Sequence, residues 1–157
     1  MRKKIVCLLS VCFFVISCKN EKLRKSISEK FPDGKTKTEE YYKYRIESKD
    51  TVNTEKIKEI KYWENGSKQM EGNYKNNKRN GWWISYFPNG KKQSEGGFKN
   101  DLGEGKRIVY NENGKILYTG YYKKGNPDGK WEIYDSNGKK IIERIYKDNK
   151  VVNEKKF

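Results

Sequence analysis

The chain has 157 residues and a formal charge of +15, from 36 Lys and Arg against 21 Asp and Glu. Only 33% of it is hydrophobic, yet 14% is aromatic, with 14 Gly, three Cys and no His. The length suits one ordinary domain, and the scarcity of aliphatics excludes a thick core. The aromatic load argues against disorder, and the lack of His removes the commonest general base and metal ligand.

Arg2, Lys3 and Lys4 precede an almost unbroken apolar run from Ile5 to Ile16. A bilayer-spanning helix needs about 20 apolar residues; this run has the length of a secretory h-region. It ends in Val15-Ile16-Ser17-Cys18, which resembles a bacterial lipoprotein lipobox. That resemblance implies a signal peptide over residues 1–17, cleavage before Cys18, and lipidation of the Cys18 thiol and new amine with acyl chains such as palmitate. Several acyl chains hold a protein on a membrane where one does so only marginally. Cys7 and Cys12 leave with the signal, so the mature chain has neither a free thiol nor a disulfide. Cleavage also removes three cations and no acid, which lowers the net charge to +12. Residues 18–30, the lipidated Cys and the polar stretch after it, read as a flexible tether. The implied location is the bacterial cell envelope, with no acidic signal that marks a membrane face.

Residues 31–157 form a repeat domain. Gly66, Gly90, Gly114 and Gly138 are 24 residues apart, as are Tyr62, Tyr86, Tyr110 and Tyr134. An aromatic follows each glycine by eight residues: Tyr74, Phe98, Tyr122 and Tyr146. Gly81, Gly105 and Gly129 keep the same period. Asp33-Gly34 and Tyr42 begin an earlier unit that carries eight extra residues, placed in the polar stretch 47–54.

Each unit reads as a β-hairpin. The Asn-Gly pairs at 65–66, 89–90, 113–114 and 137–138 predict type I′ turns, which need positive φ at both central residues. One strand follows each turn, a looser loop such as Lys123–Gly129 reverses the chain, and a short strand such as Trp131–Tyr134 returns. Pro88 and Pro127 are placed in turns. The prediction is an all-β, elongated antiparallel meander of about five 24-residue repeats and roughly ten strands, mostly a single layer. Alternation puts Gly72 with Tyr74, Gly96 with Phe98 and Gly120 with Tyr122 on one face. Bare glycine backbone beside a ring suits coverage by a neighbouring aromatic.

Units such as Tyr86-Phe-Pro-Asn-Gly-Lys-Lys-Gln-Ser-Glu-Gly-Gly-Phe-Lys-Asn and Asn126-Pro-Asp-Gly-Lys-Trp-Glu-Ile-Tyr resemble MORN repeats, in the bacterial variant of the YwqK antitoxin type. The resemblance spans about residues 31–150. It implies an elongated antiparallel sheet that works as a protein-binding or membrane-associated module. Arg144 and Asn153 replace the small residue and second glycine of the last unit, as suits a terminal cap.

Catalysis has little to build on. Asp101, Asp128, Asp135 and Asp148 fall in predicted turns, no spacing singles out a carboxylate pair, and no glycine-rich stretch has phosphate-loop spacing. The chain is read as no enzyme, with no cofactor and no metal site. Lys43, Lys75, Lys99, Lys123 and Lys147 hold one register after the repeating aromatic. With two strands per unit their spacing is roughly 10 Å, which suits a polyanion or lipid headgroups; a solvated row that keeps sheet edges soluble is the plainer role. Trp82, Trp83 and Trp131 form a candidate aromatic surface, with packing over glycine as the plainer use. The leading expectation is a membrane-anchored, non-enzymatic binding or scaffold lipoprotein for a protein or anionic envelope component such as a lipid or glycan. Nucleic acid is disfavoured by export. The alternatives are an immunity or antitoxin-like protein that neutralises a toxin and, more weakly, an envelope hydrolase acting through Glu95 and Asp128.

Overall fold

The structure, a computed structural model, describes residues 22–48 and 51–157. The signal segment and Cys18 lie outside the described residues. Eleven strands follow one another: β1 (Lys22–Lys30), β2 (Thr36–Ser48), β3 (Thr51–Tyr62), β4 (Lys68–Lys75), β5 (Lys78–Tyr86), β6 (Lys92–Lys99), β7 (Leu102–Tyr110), β8 (Ile116–Lys123), β9 (Asn126–Tyr134), β10 (Lys140–Lys147) and β11 (Lys150–Lys156). They form one open antiparallel sheet in chain order, the meander that the period predicts. Among the described residues no helix is long and apolar enough to cross a membrane.

Several expectations change. Residues 22–30, read as tether, form β1, which pairs along its length with β2. Its apolar residues gave no signal because they face no core: Leu23 and Ile27 are exposed, and the strand is held by backbone bonds to β2 and by ion pairs such as Lys25–Glu39 at 2.6 Å. The eight extra residues of the first unit lengthen a hairpin rather than make a loop, since β2 and β3 have 13 and 12 residues where later strands have eight or nine. Pro127 is the second residue of β9, just past a turn.

The turn chemistry also differs from the expectation. At the Asn-Gly end only the glycine has positive φ, as at Gly66 (83°) and Gly90 (82°). Gly66 N–H donates to the Trp63 carbonyl at 2.9 Å and Trp63 N–H to that of Ser67 at 2.8 Å. This is a type I turn closed by a left-handed glycine. The preceding Asn is there for its side chain: Asn65 Oδ1 accepts the Ser67 N–H and Asn89 Oδ1 the Lys91 N–H, both at 3.0 Å. The type I′ turns lie at the other end, where the looser loops were predicted. Asn76-Asn77, Asn100-Asp101, Lys124-Gly125 and Asp148-Asn149 have positive φ at both residues.

The second glycine row falls inside strands. Gly81, Gly105 and Gly129 have φ of +86°, +80° and +65° beside register breaks, where Asn73, Gly97 and Gly120 have no partner on the next strand. These are β-bulges, which sharpen the local twist of each hairpin.

The sheet has two unlike faces. Across the aromatic face runs one transverse row: Glu59, Gly72, Trp83, Gly96, Arg107, Gly120, Trp131, Arg144 and Glu154. Trp83 and Trp131 lie so close over Gly72 and Gly120 that a Cβ on either glycine would overlap the indole. Each indole is also hydrogen-bonded at 3.1 Å to a backbone carbonyl at the bulge, that of Asn73 or Tyr121. Tyr74 and Phe98 meet Trp83 edge-on, and Tyr118, Tyr122 and Tyr146 surround Trp131. At Gly72 and Gly120 glycine therefore serves as the seat for a ring, as the alternation implied, whereas Gly96 seats the stem of Arg107 instead. The row ends in charge, with Lys56 bridging Glu40 and Glu59 at 2.7 and 2.6 Å and Arg144 pairing with Glu154 at 2.6 Å.

The opposite face carries a row of carboxylates and isoleucines: Glu39, Ile60, Glu71, Ile84, Glu95, Ile108, Thr119, Glu132 and Glu143. The repeating tyrosines reach back across it. Tyr86 donates to Glu71 at 2.8 Å and Tyr110 to Glu95 at 2.6 Å. Lys68 and Lys92 pair with the same two carboxylates. Ile60 and Trp83 are the only buried hydrophobic side chains among the described residues, so the core is one side chain deep on each face.

Candidate functional site: a basic aromatic trough

The repeat places Lys75, Lys99, Lys123 and Lys147 as the last residue of β4, β6, β8 and β10. Each flanks a type I′ turn, opposite Lys78, Leu102, Asn126 and Lys150 respectively. All four are exposed and form a row along the I′ edge, two strands apart and hence roughly 10 Å from one to the next. Lys43 does not continue this row. It lies in mid-strand, opposite Leu23 on one side and Glu55 on the other.

The three candidate tryptophans are divided between the faces. Trp83, 5% exposed, and Trp131 pack over glycine on the aromatic face. Trp82 is on the carboxylate face opposite Gly97 and 42% exposed. Its indole N–H donates to Glu95 at 3.2 Å, which fixes the ring while leaving one side open. Beside it is a shallow trough of about 480 Å³, lined by Lys75, Lys99 and Lys106 over the bare backbone of Gly97 and Gly105. A side chain at Gly97 would strike the Glu104 carbonyl, so this floor has to stay bare. Sequence reasoning missed Lys106; the trough exists because the bulge at Gly97 brings the start of β7 under Trp82.

Tyr121, 47% exposed, lies opposite Lys106 on the same face. Lys106 thus stands between two exposed rings, and Lys75, Lys99 and Glu104 also border the trough. Such a surface suits an anionic chain with flat apolar segments, since lysines attract its charge and rings take its faces. Glu95 and Asp128 are not brought together as an acid pair: Glu95 is engaged by Tyr110, Lys92 and Trp82, and Asp128 lies opposite Tyr121. Among the described residues no group of three or more Cys, Asp or Glu side chains is placed to hold a metal ion.

The sequence profile described as MORN repeat variant matches residues 57–76, 79–100, 103–124 and 127–148. Each match after the first begins at or next to the first residue of β5, β7 or β9 and ends just past the strand after it. No curated protein matches the chain.

Proposed function

The chain belongs to the MORN repeat variant family, and from that premise we propose that it is a membrane-anchored envelope lipoprotein, held through Cys18, whose sheet binds an anionic envelope component and acts as a scaffold rather than an enzyme. MORN repeats are typically binding or scaffold modules. The observation that carries the reading is the trough of Trp82, Lys75, Lys99 and Lys106, continued along the same edge by Lys123 and Lys147. An extended row at roughly 10 Å spacing meets an extended polyanion or a headgroup layer better than it meets a point charge. The lipobox supports placing that row beside a membrane surface.

Two measurements test this. Replacing Cys18 by Ala abolishes recovery in the membrane fraction; unchanged fractionation overturns the anchor. A lysine near an anionic surface contributes about 1 kcal/mol. Replacing Lys75, Lys99, Lys123 and Lys147 together by Gln therefore weakens binding to phosphatidylglycerol-containing vesicles by about a thousandfold at low salt, and flattens its salt dependence. Equal affinity of parent and variant, or equal binding to neutral vesicles, overturns the anionic partner.

A further inference from the structure

The transverse row on the aromatic face breaks its pattern at one place. Trp83 and Trp131 occupy equivalent positions of their units, and the position between them is Arg107. The neighbouring row breaks in the same region. Its cross-strand pairs are Val109 with Tyr118 and Ile133 with Ile142, but the pair beside Trp83 is Ser85 with Ser94, their hydroxyls 2.8 Å apart. Two small polar residues and one cation thus replace apolar bulk in adjoining units. The result is a cavity of about 170 Å³ lined by Met70, Trp83, Phe98, the two serines and Arg107, with Arg79 also on its wall.

Arg107 is held there without a counter-charge. Its Nε is buried and has no hydrogen-bond partner, and no carboxylate lies within ion-pairing distance of its guanidinium among the described residues. Leaving a buried donor of a charged group unpaired is costly. Gly96 keeps the arginine stem against the sheet, since a Cβ there would lie 3.3 Å from Arg107 Cβ and Cγ. Arg79 is already engaged, stacked 4.3 Å over Phe98, bonded to the Asp101 carbonyl at 3.3 Å and paired with the Asp101 carboxylate at 3.6 Å, so it offers neither a free fork nor an uncompensated charge.

From these features we infer that the aromatic face holds a binding site for a small organic oxyanion, a carboxylate or phosphate on an apolar stem. The head is taken by Arg107, whose planar fork matches either group, and by the Ser85 and Ser94 hydroxyls. The stem lies against Trp83, Phe98 and Met70. The volume accommodates a head of a few heavy atoms and the first part of a stem, since a liquid water takes about 30 Å³. This site is on the opposite face from the lysine row and goes beyond the function proposed above; it stands or falls independently of it.

The test is a titration of the full chain in a neutral detergent, followed by the indole N–H resonance of Trp83. Phenyl phosphate and benzoate are the probes, and inorganic phosphate distinguishes a bare anion. The expected result is a saturable shift of Trp83 with at least one aryl probe, at least tenfold tighter than with inorganic phosphate. Arg107→Gln abolishes that shift. Since Arg107→Gln also changes the packing over Gly96, a second variant fills the cavity with the repeat's own residues: Ser85→Val with Ser94→Ile keeps the cross-strand pair apolar as in the next units, folds, and weakens binding at least tenfold. The quadruple lysine variant binds like the parent. No saturable shift with either aryl probe, equal response to inorganic phosphate, or parental affinity in the filled variant overturns the site.

Discussion

At the scale of single residues the stiffest element of design is the tyrosine–carboxylate bond that recurs on one face. Burial raises the pKa values of Glu71 and Glu95, but hydrogen bonds from Lys68 and Tyr86 to the first, and from Tyr110 and Lys92 to the second, outweigh it and hold both below the ordinary carboxylate value. Burial and the same bonds push the Tyr86 and Tyr110 phenols up to about 12. The two shifts act at opposite ends of the pH scale. A depressed carboxylate contributes stability above its unfolded pKa that is lost as pH falls through the folded one. A raised phenol contributes stability below its unfolded pKa of about 10 that is lost as pH climbs toward about 12. Urea midpoints therefore form a neutral plateau with an acid limb below about pH 4.5 and an alkaline limb above about pH 10. Tyr86→Phe with Tyr110→Phe keeps both rings, lowers stability at neutral pH by about 1 kcal/mol per bond after solvent screening, and flattens the alkaline limb. An alkaline limb as steep in the double variant as in the parent rules the pairing out as its source. The fourth unit shows the bond as a set: where Glu71 and Lys68 would recur, Thr119 and Ile116 stand together, and Tyr134 turns to Glu132 at 3.1 Å instead.

At the scale of elements, glycines with one appearance do two different jobs. Gly90 has φ +82° and nothing within 4 Å of an added Cβ, whereas Gly72 has ordinary backbone and the Trp83 ring where its Cβ would be. Gly90→Ala then costs about 1–2 kcal/mol, wholly from left-handed backbone, and Gly90→Asn restores most of it because Asn tolerates that region. At Gly72, Asn is worse than Ala, since the obstacle is the indole and grows with side-chain size. The order of the two substitutions, read from urea midpoints, reverses between the sites; the same order at both refutes the distinction. The same contrast explains what the sequence disclosed. The 24-residue period made the hairpins and the ring-over-glycine face legible, because turns and seats for rings both demand glycine at fixed offsets. Turn type was not legible: Asn-Gly satisfies a two-residue I′ loop and a type I turn with a closing glycine alike, and only cross-strand register separates them. Nor was β1, whose Leu23 and Ile27 face solvent and so leave no apolar alternation. The tyrosine bonds had a readable signal, Tyr86 and Tyr110 each 15 residues beyond Glu71 and Glu95, but each pair sits diagonally on adjacent strands, a relation that only the cross-strand register reveals. The division of Trp82 from Trp83 follows from strand alternation; the trough beneath Trp82 depends on a bulge that no local pattern announces.

At the scale of the whole molecule, extensive packing joins only strands adjacent in sequence, so stability is a sum of local hairpins and their interfaces. Among the described residues both ends of the sheet are open edges, and both are basic: β1 carries Lys22, Arg24, Lys25 and Lys30, and β11 carries Lys150, Lys155 and Lys156. Lysines on an unpaired edge oppose end-to-end addition of another copy, which fits a sheet that keeps its length rather than growing into a fibre. Independence of distant hairpins then has a measurable signature. Amide hydrogen exchange is slowest in β4 to β8, where each strand has two neighbours and the Trp83 cluster or the Ile–Glu row covers the ladder, and fastest in β1 and β11. Ending the chain after Asn149 removes β11 with the Arg144–Glu154 pair, and deprotects β10 while β4 to β6 keep their rates. Trp83→Ala does the reverse: it removes a large buried ring at a cost of about 3 kcal/mol, and opens β4 to β6 while β10 keeps its rates. Two variants at separate places with separate exchange maps are the behaviour of a one-dimensional array. If either one instead accelerates exchange evenly over all eleven strands, the sheet unfolds as a single cooperative unit and the additive description is wrong.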